Sequence, residues 1–268
     1  MALIAPGPSA RGEDIGELVR KGFYDEASLT VHLRSYYLDR TNPRLPNNVA
    51  WAGGGWLGYQ TGWFADVLRF GVVGYTSQPL SAPPGTDGTL LLRPGQLGYT
   101  ALGQAYGQLK LWDQVFTGYR QLINQPEVNP HDNRMTPNTF EAYLLSGKLG
   151  DVSYLAGFVD RMKPRNSEEF IDMATVAGAP AGSKEGMILA GLAFAPDETA
   201  KMRASGYFVP NVLASGYGDF SKTFSVTDDI DLRVGGQFMV QGSTGINLLT
   251  TRPFSTWAGG LDLDFIWG

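Results

Sequence analysis

The stretch Asn124–Asn138 carries His131, Asp132 and Arg134 among three prolines. Proline fixes its own φ and stiffens such a loop. A carboxylate and a guanidinium held on a stiff loop can orient a dipolar solute without transforming it. The other reading is an ordinary exposed loop, its Asp–Arg pair a surface bridge worth little. Patterns for catalysis are weaker. His32 and His131 lie about a hundred residues apart and cysteine is absent, which argues against zinc. A Ser-His-Asp triad finds no G-x-S-x-G nucleophile turn to support it. Gly53-Gly54-Gly55-Trp56-Leu57-Gly58 satisfies G-x-G-x-x-G. A dinucleotide site needs that turn between a strand and a helix, whereas here it sits in an aromatic, glycine-rich run between Trp51 and Trp63. Asp228, Asp229 and Asp231 lack the spacing of a calcium loop. The expectation is a protein that is not an enzyme and uses no metal or cofactor.

A second set of polar residues recurs at every other position. Asp231 to Gln241 sets Leu232, Val234, Phe238 and Val240 against Asp231, Arg233, Gln237 and Gln241. Leu97 to Leu111 places Leu97, Tyr99, Ala101, Leu109 and Leu111 opposite Thr100, Gln104, Gln108 and Lys110. Near the end, Trp257, Leu261, Leu263, Phe265 and Trp267 alternate with Asp262 and Asp264. Period two is the signature of a strand with one apolar and one polar face. Similar but less regular runs place His32 and Arg34 in Ser28 to Arg40, Arg69 in Val67 to Tyr75, and Arg161 in Val152 to Lys163, with Arg120 in an ambiguous segment. Met187 to Ala195 is apolar on both faces.

These runs exceed the usual globular strand of about 5–6 residues and match the about 9–11 of a tilted membrane-crossing strand. Turn-forming connections alternate in length. Short ones fall at Gly62–Asp66, Leu111–Asp113, Leu149–Asp151, Pro196–Thr199 and Thr227–Ile230. Long ones fall at Thr41–Val49, Ser77–Gly95, Asn124–Asn138, Pro164–Lys184 and Gly242–Pro253. With a weaker turn near Asn211–Tyr217, the count reaches about twelve strands. Segregation of loop length by parity belongs to outer-membrane barrels, with short periplasmic turns and long extracellular loops. In hydrocarbon every backbone polar group needs an internal partner, so spanning strands must form a closed barrel. The polar faces then line a lumen whose wall carries Arg34, Arg69, Lys110, Arg120, Arg161 and Arg233, and cations along a low-dielectric wall favour anionic or zwitterionic solutes.

Composition agrees. Of 268 residues 35 are glycine, nearly twice the average of about 7%. Charged residues make up 18% and aromatics 12%, with a net charge of -5. That excludes a disordered chain and a nucleic-acid binder. No apolar run approaches the about 18 residues of a helical span.

Three pieces carry a family resemblance. Gly22 to Tyr37 resembles the first strand of OprD-like outer-membrane porins. His131 to Glu141 is similar to their third loop, an acid and an arginine followed by Pro-x-Thr-Phe. Asp160-Arg161 with Arg165-Asn166-Ser167 is similar to the next strand-to-loop passage. The resemblance implies a bacterial outer-membrane channel for small, often carboxylate-bearing nutrients such as amino acids, peptides or organic acids. It also implies an arginine ladder and an eyelet on the third loop. By motif, Asp132 and Arg134 fall in that loop and Arg34 and Arg161 on the wall; Arg69, Lys110 and Arg120 rest on alternation. It implies about eighteen strands where about twelve are present, so an N-terminal fragment or shortened relative is expected. Residues 1–27 are expected as a periplasmic lead-in with a possible signal-peptide remnant, and 28–268 as the barrel. The partners expected are outer-membrane lipid and small solutes, in a monomer or homotrimer. A soluble all-β ligand- or carbohydrate-binding module is the alternative, in which the greasy faces would meet across a sandwich.

Overall fold

The computed structural model describes residues 15–41, 43–44, 46–250 and 252–267. A short helix α1 (Ile15–Arg20) continues as a π turn (Lys21–Asp25) before the first strand. The lead-in docks on the connection 61–67, where Gly62 N donates to Gly22 O at 2.7 Å. Residues 1–14 lie outside the described residues.

The strands are β1 (Ser28–Arg40), β2 (Asn48–Gln60), β3 (Leu68–Ser81), β4 (Tyr99–Leu111), β5 (Gln114–Gln121), β6 (Thr139–Leu149) and β7 (Val152–Lys163). After them come β8 (Ile171–Asp172), a one-turn helix α2 (Met173–Val176), β9 (Met187–Phe194), β10 (Ala200–Val209), β11 (Leu213–Thr227), β12 (Ile230–Ser243) and β13 (Ser255–Trp267). Each pairs antiparallel with the next, in one sheet, except that β7 pairs with both β9 and the two-residue β8. Among the described residues β1 pairs only with β2, and β13 only with β12. No described helix is long and apolar enough to cross a membrane.

The expected loop parity is present. Connections 112–113, 150–151 and 228–229 are tight, and 61–67 and 195–199 are short. On the other rim 82–98, 122–138, 164–186 and 244–254 are long, while 210–212 is the short exception.

One face of the sheet is exposed and apolar. Leu33 on β1, Leu192 on β9, Phe238 on β12 and Leu263 on β13 are 84%, 56%, 51% and 66% exposed. They are not stacked on a second layer, so the sandwich alternative fails. The other face is filled at the long-loop end. Ile123 and Val128 from connection 122–138 pack with Phe140, Leu144, Val159, Leu189 and Val209. Each such side chain contributes on the order of 1.5–3 kcal/mol when fully buried. This explains the run apolar on both faces: Ile188 and Leu192 are exposed outside, whereas Met187 and Leu189 lie under the loop.

Two bulges correct the simple alternation. In β4, Gln104 pairs with Val73 but Leu102 with Gly74, so Gly103 is an extra residue. An inserted residue shifts the phase of the strand. Tyr99 and Ala101 therefore share a face with Gln104 and Gln108, and only Leu109 and Leu111 keep the outward side. In β7, Glu141 pairs with Arg161 but Ala142 with Val159, which makes Asp160 the extra residue. Arg161 and Lys163 thus leave the face of Ser153 and Leu155 and join that of Glu141 and Thr139. Trp56 lies mid-strand on the inner face, stacked on His32.

A candidate pore constriction

The connection 122–138 crosses the concave side of the sheet. Near its start Glu127 accepts a hydrogen bond from Ser215 Oγ on β11. Near its end Asp132 takes both nitrogens of Arg34 on β1, Nη1 to Oδ1 at 2.7 Å and Nη2 to Oδ2 at 3.2 Å. Strands β1 and β11 stand near opposite ends of the strand order, so a loop touching both must run inside the curve. Three prolines and the buried Ile123, Val128 and Met135 hold it there.

Arg34 is the main anchor. Its Nη1 also donates to the Arg134 carbonyl. Its guanidinium lies 4.9 Å from the centroid of the Trp56 ring, on which His32 stacks at 4.0 Å and 5°. Such stacking orients a planar guanidinium at modest energetic gain. Sequence reading placed Arg34 but missed Trp56 as its platform. The signal was register: Trp56 pairs with His32, two residues before Arg34.

Arg134 Nε donates to Thr89 O of connection 82–98 at 2.9 Å. His131 is exposed and holds a positive φ of 49°, with its N–H donating to Asn129 Oδ1 at 3.0 Å. The loop's last turn is tied to connection 164–186. Arg165 N donates to Asn138 Oδ1 at 2.8 Å, and the Arg165 guanidinium reaches Asn133 Oδ1. Lys163 is fully buried and donates to Thr136 Oγ1 at 3.3 Å and Pro164 O at 3.0 Å. Its ammonium lies 5.4 Å from the Tyr75 ring and 5.7 Å from the Tyr99 ring. Those rings belong to β3 and β4, beyond the intervening β5 and β6, so the tip of β7 leans over the concave face.

The expected wall cations are mostly neutralised. Lys110 meets Asp66 at 2.7 Å, and Arg233 meets Asp264. Arg120 and Arg161 share Glu141 at 3.0 and 3.9 Å, and Arg161 also meets Asp172 at 3.4 Å. By the β6–β7 register this cluster sits on the face of Glu141, opposite Phe140 and Ala142. Of the six, Arg69 alone has no carboxylate within ion-pair distance among the described residues; it donates to Gln108 Oε1 at 2.7 Å and lies over Trp63 at 4.4 Å. Three cations without a carboxylate partner among the described residues, Arg134, Lys163 and Arg165, lie on or beside the loop. Burial, and after it the charge of Arg134, lowers the Arg165 pKa from its ordinary value. Sequence reading did not single out Arg165 or Lys163 as site residues, because only the folded loop brings them to Arg134.

Comparison with known proteins decides the family. The outer membrane porin, OprD family, matches residues 21–263. The chain belongs to the OprD family of outer-membrane porins. The porin-like protein GalP of Pseudomonas putida is 26% identical over 171 residues, covering 59% of this chain and 41% of GalP. A BenF-like porin from Pseudomonas fluorescens Pf-5 superposes with a TM-score of 0.78 at 19% identity, covering 91% of this chain and 65% of that one. Pseudomonas aeruginosa OpdK, solved with vanillate, gives 0.75 at 21% identity, over 91% of this chain and 65% of OpdK. The chain therefore spans less than two thirds of these relatives. The OprD-family assignment places it in the bacterial outer membrane and accounts for the exposed apolar face, which meets lipid.

Proposed function

We propose that this OprD-family chain contributes the eyelet of a passive channel for small carboxylate-bearing or zwitterionic solutes. The observation that carries the reading is the pair Arg134 and Arg165 on and beside the lumen-crossing loop, without carboxylate partners among the described residues. Preorganised cations in a narrow, partly desolvated passage attract an anion end more strongly than the same charges in bulk water. Lys110 and Arg233, paired with Asp66 and Asp264, present alternating sign along the wall, which suits dipolar solutes and weakens any preference for simple anions. Arg120 and Arg161 instead sit with Glu141 on the face opposite the loop-packed Phe140 and Ala142. Within this reading Asp132 and Arg134 shape the constriction, His131 stands at its exposed edge, and Arg69 supplies a positive step toward the short-turn rim. All these residues come from one chain, so the reading serves a monomer and a homotrimer alike. It describes a channel, not an enzyme.

The test is the reversal potential of the reconstituted chain in a potassium chloride gradient. An anion-side potential that moves at least about halfway to zero in Arg134→Gln/Arg165→Gln is expected from loss of the fixed charges. A cation-side potential in the unaltered chain refutes the proposal. Vanillate, the compound solved with OpdK, is the first carboxylate to try as a blocker of the chloride current.

A further inference from the structure

Behind the lumen-crossing loop lies a cavity of about 260 Å³, between that loop, α2 and the inner side of β6, β7, β9, β10 and β11. Its body is apolar: Phe140, Met162, Met173 and Met187 line it. Its polar lining is Glu127, Asn129, His131 and Asn138 of the loop, with Tyr207, whose hydroxyl accepts from Gln241 Nε2 at 3.2 Å; Glu127 is its one carboxylate. No lysine or arginine lines it.

The Glu127 carboxylate is only half used. One oxygen, Oε1, accepts from Ser215 Oγ. The other, Oε2, is buried and has no hydrogen-bond donor among the described residues. A buried carboxylate oxygen without a donor costs free energy that a charged donor recovers. Burial accordingly raises the Glu127 pKa, with the Ser215 hydrogen bond opposing the rise. A neutral hydrogen-bond donor on a ligand would satisfy the oxygen, and an ammonium would satisfy it and neutralise the charge.

We propose that this cavity is a binding site for a small apolar amine, its protonated nitrogen on the Glu127 carboxylate and its hydrocarbon body among the three methionines. Methionine side chains adapt to irregular apolar shapes and suit such a body. The site shares His131 and Asn138 with the constriction loop but is lined by neither Arg134 nor Arg165, and its carboxylate is opposite to them in charge. It stands whether or not the pore favours carboxylates. Because Glu127 belongs to the loop that carries Asp132, an occupant would also tie the loop more firmly to β11.

Methionine methyl NMR of the chain in detergent micelles tests this directly. Met162, Met173 and Met187 line the cavity, whereas Met135, Met202 and Met239 lie elsewhere and serve as internal controls. The probes are 2-phenylethylammonium and its near-isosteric neutral counterpart 2-phenylethanol. The ammonium is expected to shift the three cavity methyls selectively and to bind at least about tenfold tighter than the alcohol. Glu127→Gln should bring that ratio close to one while leaving alcohol binding unchanged. Ala177→Trp, at the exposed rim, should weaken both probes by narrowing the cavity. Equal affinity of the two probes for the unaltered chain overturns the proposal, as does a tenfold preference that survives Glu127→Gln. Shifts spread equally over the control methionines also overturn it. Should Glu127→Gln fail to fold, the probe ratio in the unaltered chain and the Ala177→Trp result still decide.

Discussion

Arg34 and Asp132 stand 98 residues apart in sequence and meet in a two-point contact of 2.7 and 3.2 Å that closes the third loop against the first strand. Their side chains are 20% and 38% exposed, so water screens the pair in part. Removing the acid frees a guanidinium while Trp56 still holds it in place. Asp132→Asn is expected to cost only about 1 kcal/mol in unfolding, because the pair is partly solvated. The same change should move the reversal potential in a salt gradient toward chloride, since Arg34 loses its counter-charge. A shift toward potassium would show that Arg34 does not face the conduction path.

Gly103 makes the second prediction. It is the extra residue of the β4 bulge, and a Cβ added there would overlap the ring of Tyr75. Tyr75 is buried and accepts a hydrogen bond from Gln104 Nε2 at 2.6 Å. Gly103→Ala must displace that ring and is expected to cost about 1–3 kcal/mol as an overpacked core change. Ala105→Gly on the same strand is a control for strand propensity alone, with an expected cost nearer about 1 kcal/mol. Urea unfolding in lipid vesicles measures both, and an equal cost for the two would remove the steric argument.

The same bulge marks where the sequence stopped being legible. Strand existence, loop parity and the outward placement of Phe238 and Leu263 follow from period two, because a membrane strand has nowhere else to put its apolar side chains. A bulge adds one residue without changing composition, so nothing in Leu97 to Leu111 announces that Tyr99 and Gln104 share a face. Asp160 does the same to Arg161. Charge pairing was illegible for another reason: Arg120, Glu141 and Arg161 come from three strands, and a wall counted by its cations looks basic until register supplies the acids. Asp132 and Arg134 were readable as a loop motif. Their partners Arg34 and Thr89 come from elements far away in the chain.

The exposed apolar face gives the third prediction. Phe238 lies near the middle of β12, its ring stacked on Trp257 of β13 at 6.1 Å between centroids. A lysine at a lipid-facing position near the bilayer midplane costs about 2–4 kcal/mol. Phe238→Lys should therefore lower folding stability in vesicles by that order, while Gln237→Lys, one residue away on the inner face, should cost much less. Comparable losses at both sites would mean that the two faces do not see different solvents.

Asp197 offers a pH test outside the membrane-crossing strands. In the connection 195–199 its Oδ1 accepts from Thr199 Oγ1 at 2.6 Å and from the backbone N–H of Thr199 and Ala200, both at 2.8 Å. Lys222 Nζ lies 3.5 Å from the other oxygen. These donors, the Thr199 hydroxyl first, hold the pKa near about 2. A carboxylate depressed in the folded state contributes stability above its ordinary value of about 4 and loses it as pH falls toward the folded value. The turn is therefore expected to keep its full support at neutral pH and to lose this part of it between about pH 4 and 2. Carboxyl-carbon NMR of Asp197 should give a midpoint near 2. Thr199→Val should raise that midpoint more than Lys222→Met, because the hydroxyl hydrogen bond outweighs an exposed charge at 3.5 Å. The reverse order would assign the depression to the lysine and refute the hydrogen-bond account of this turn.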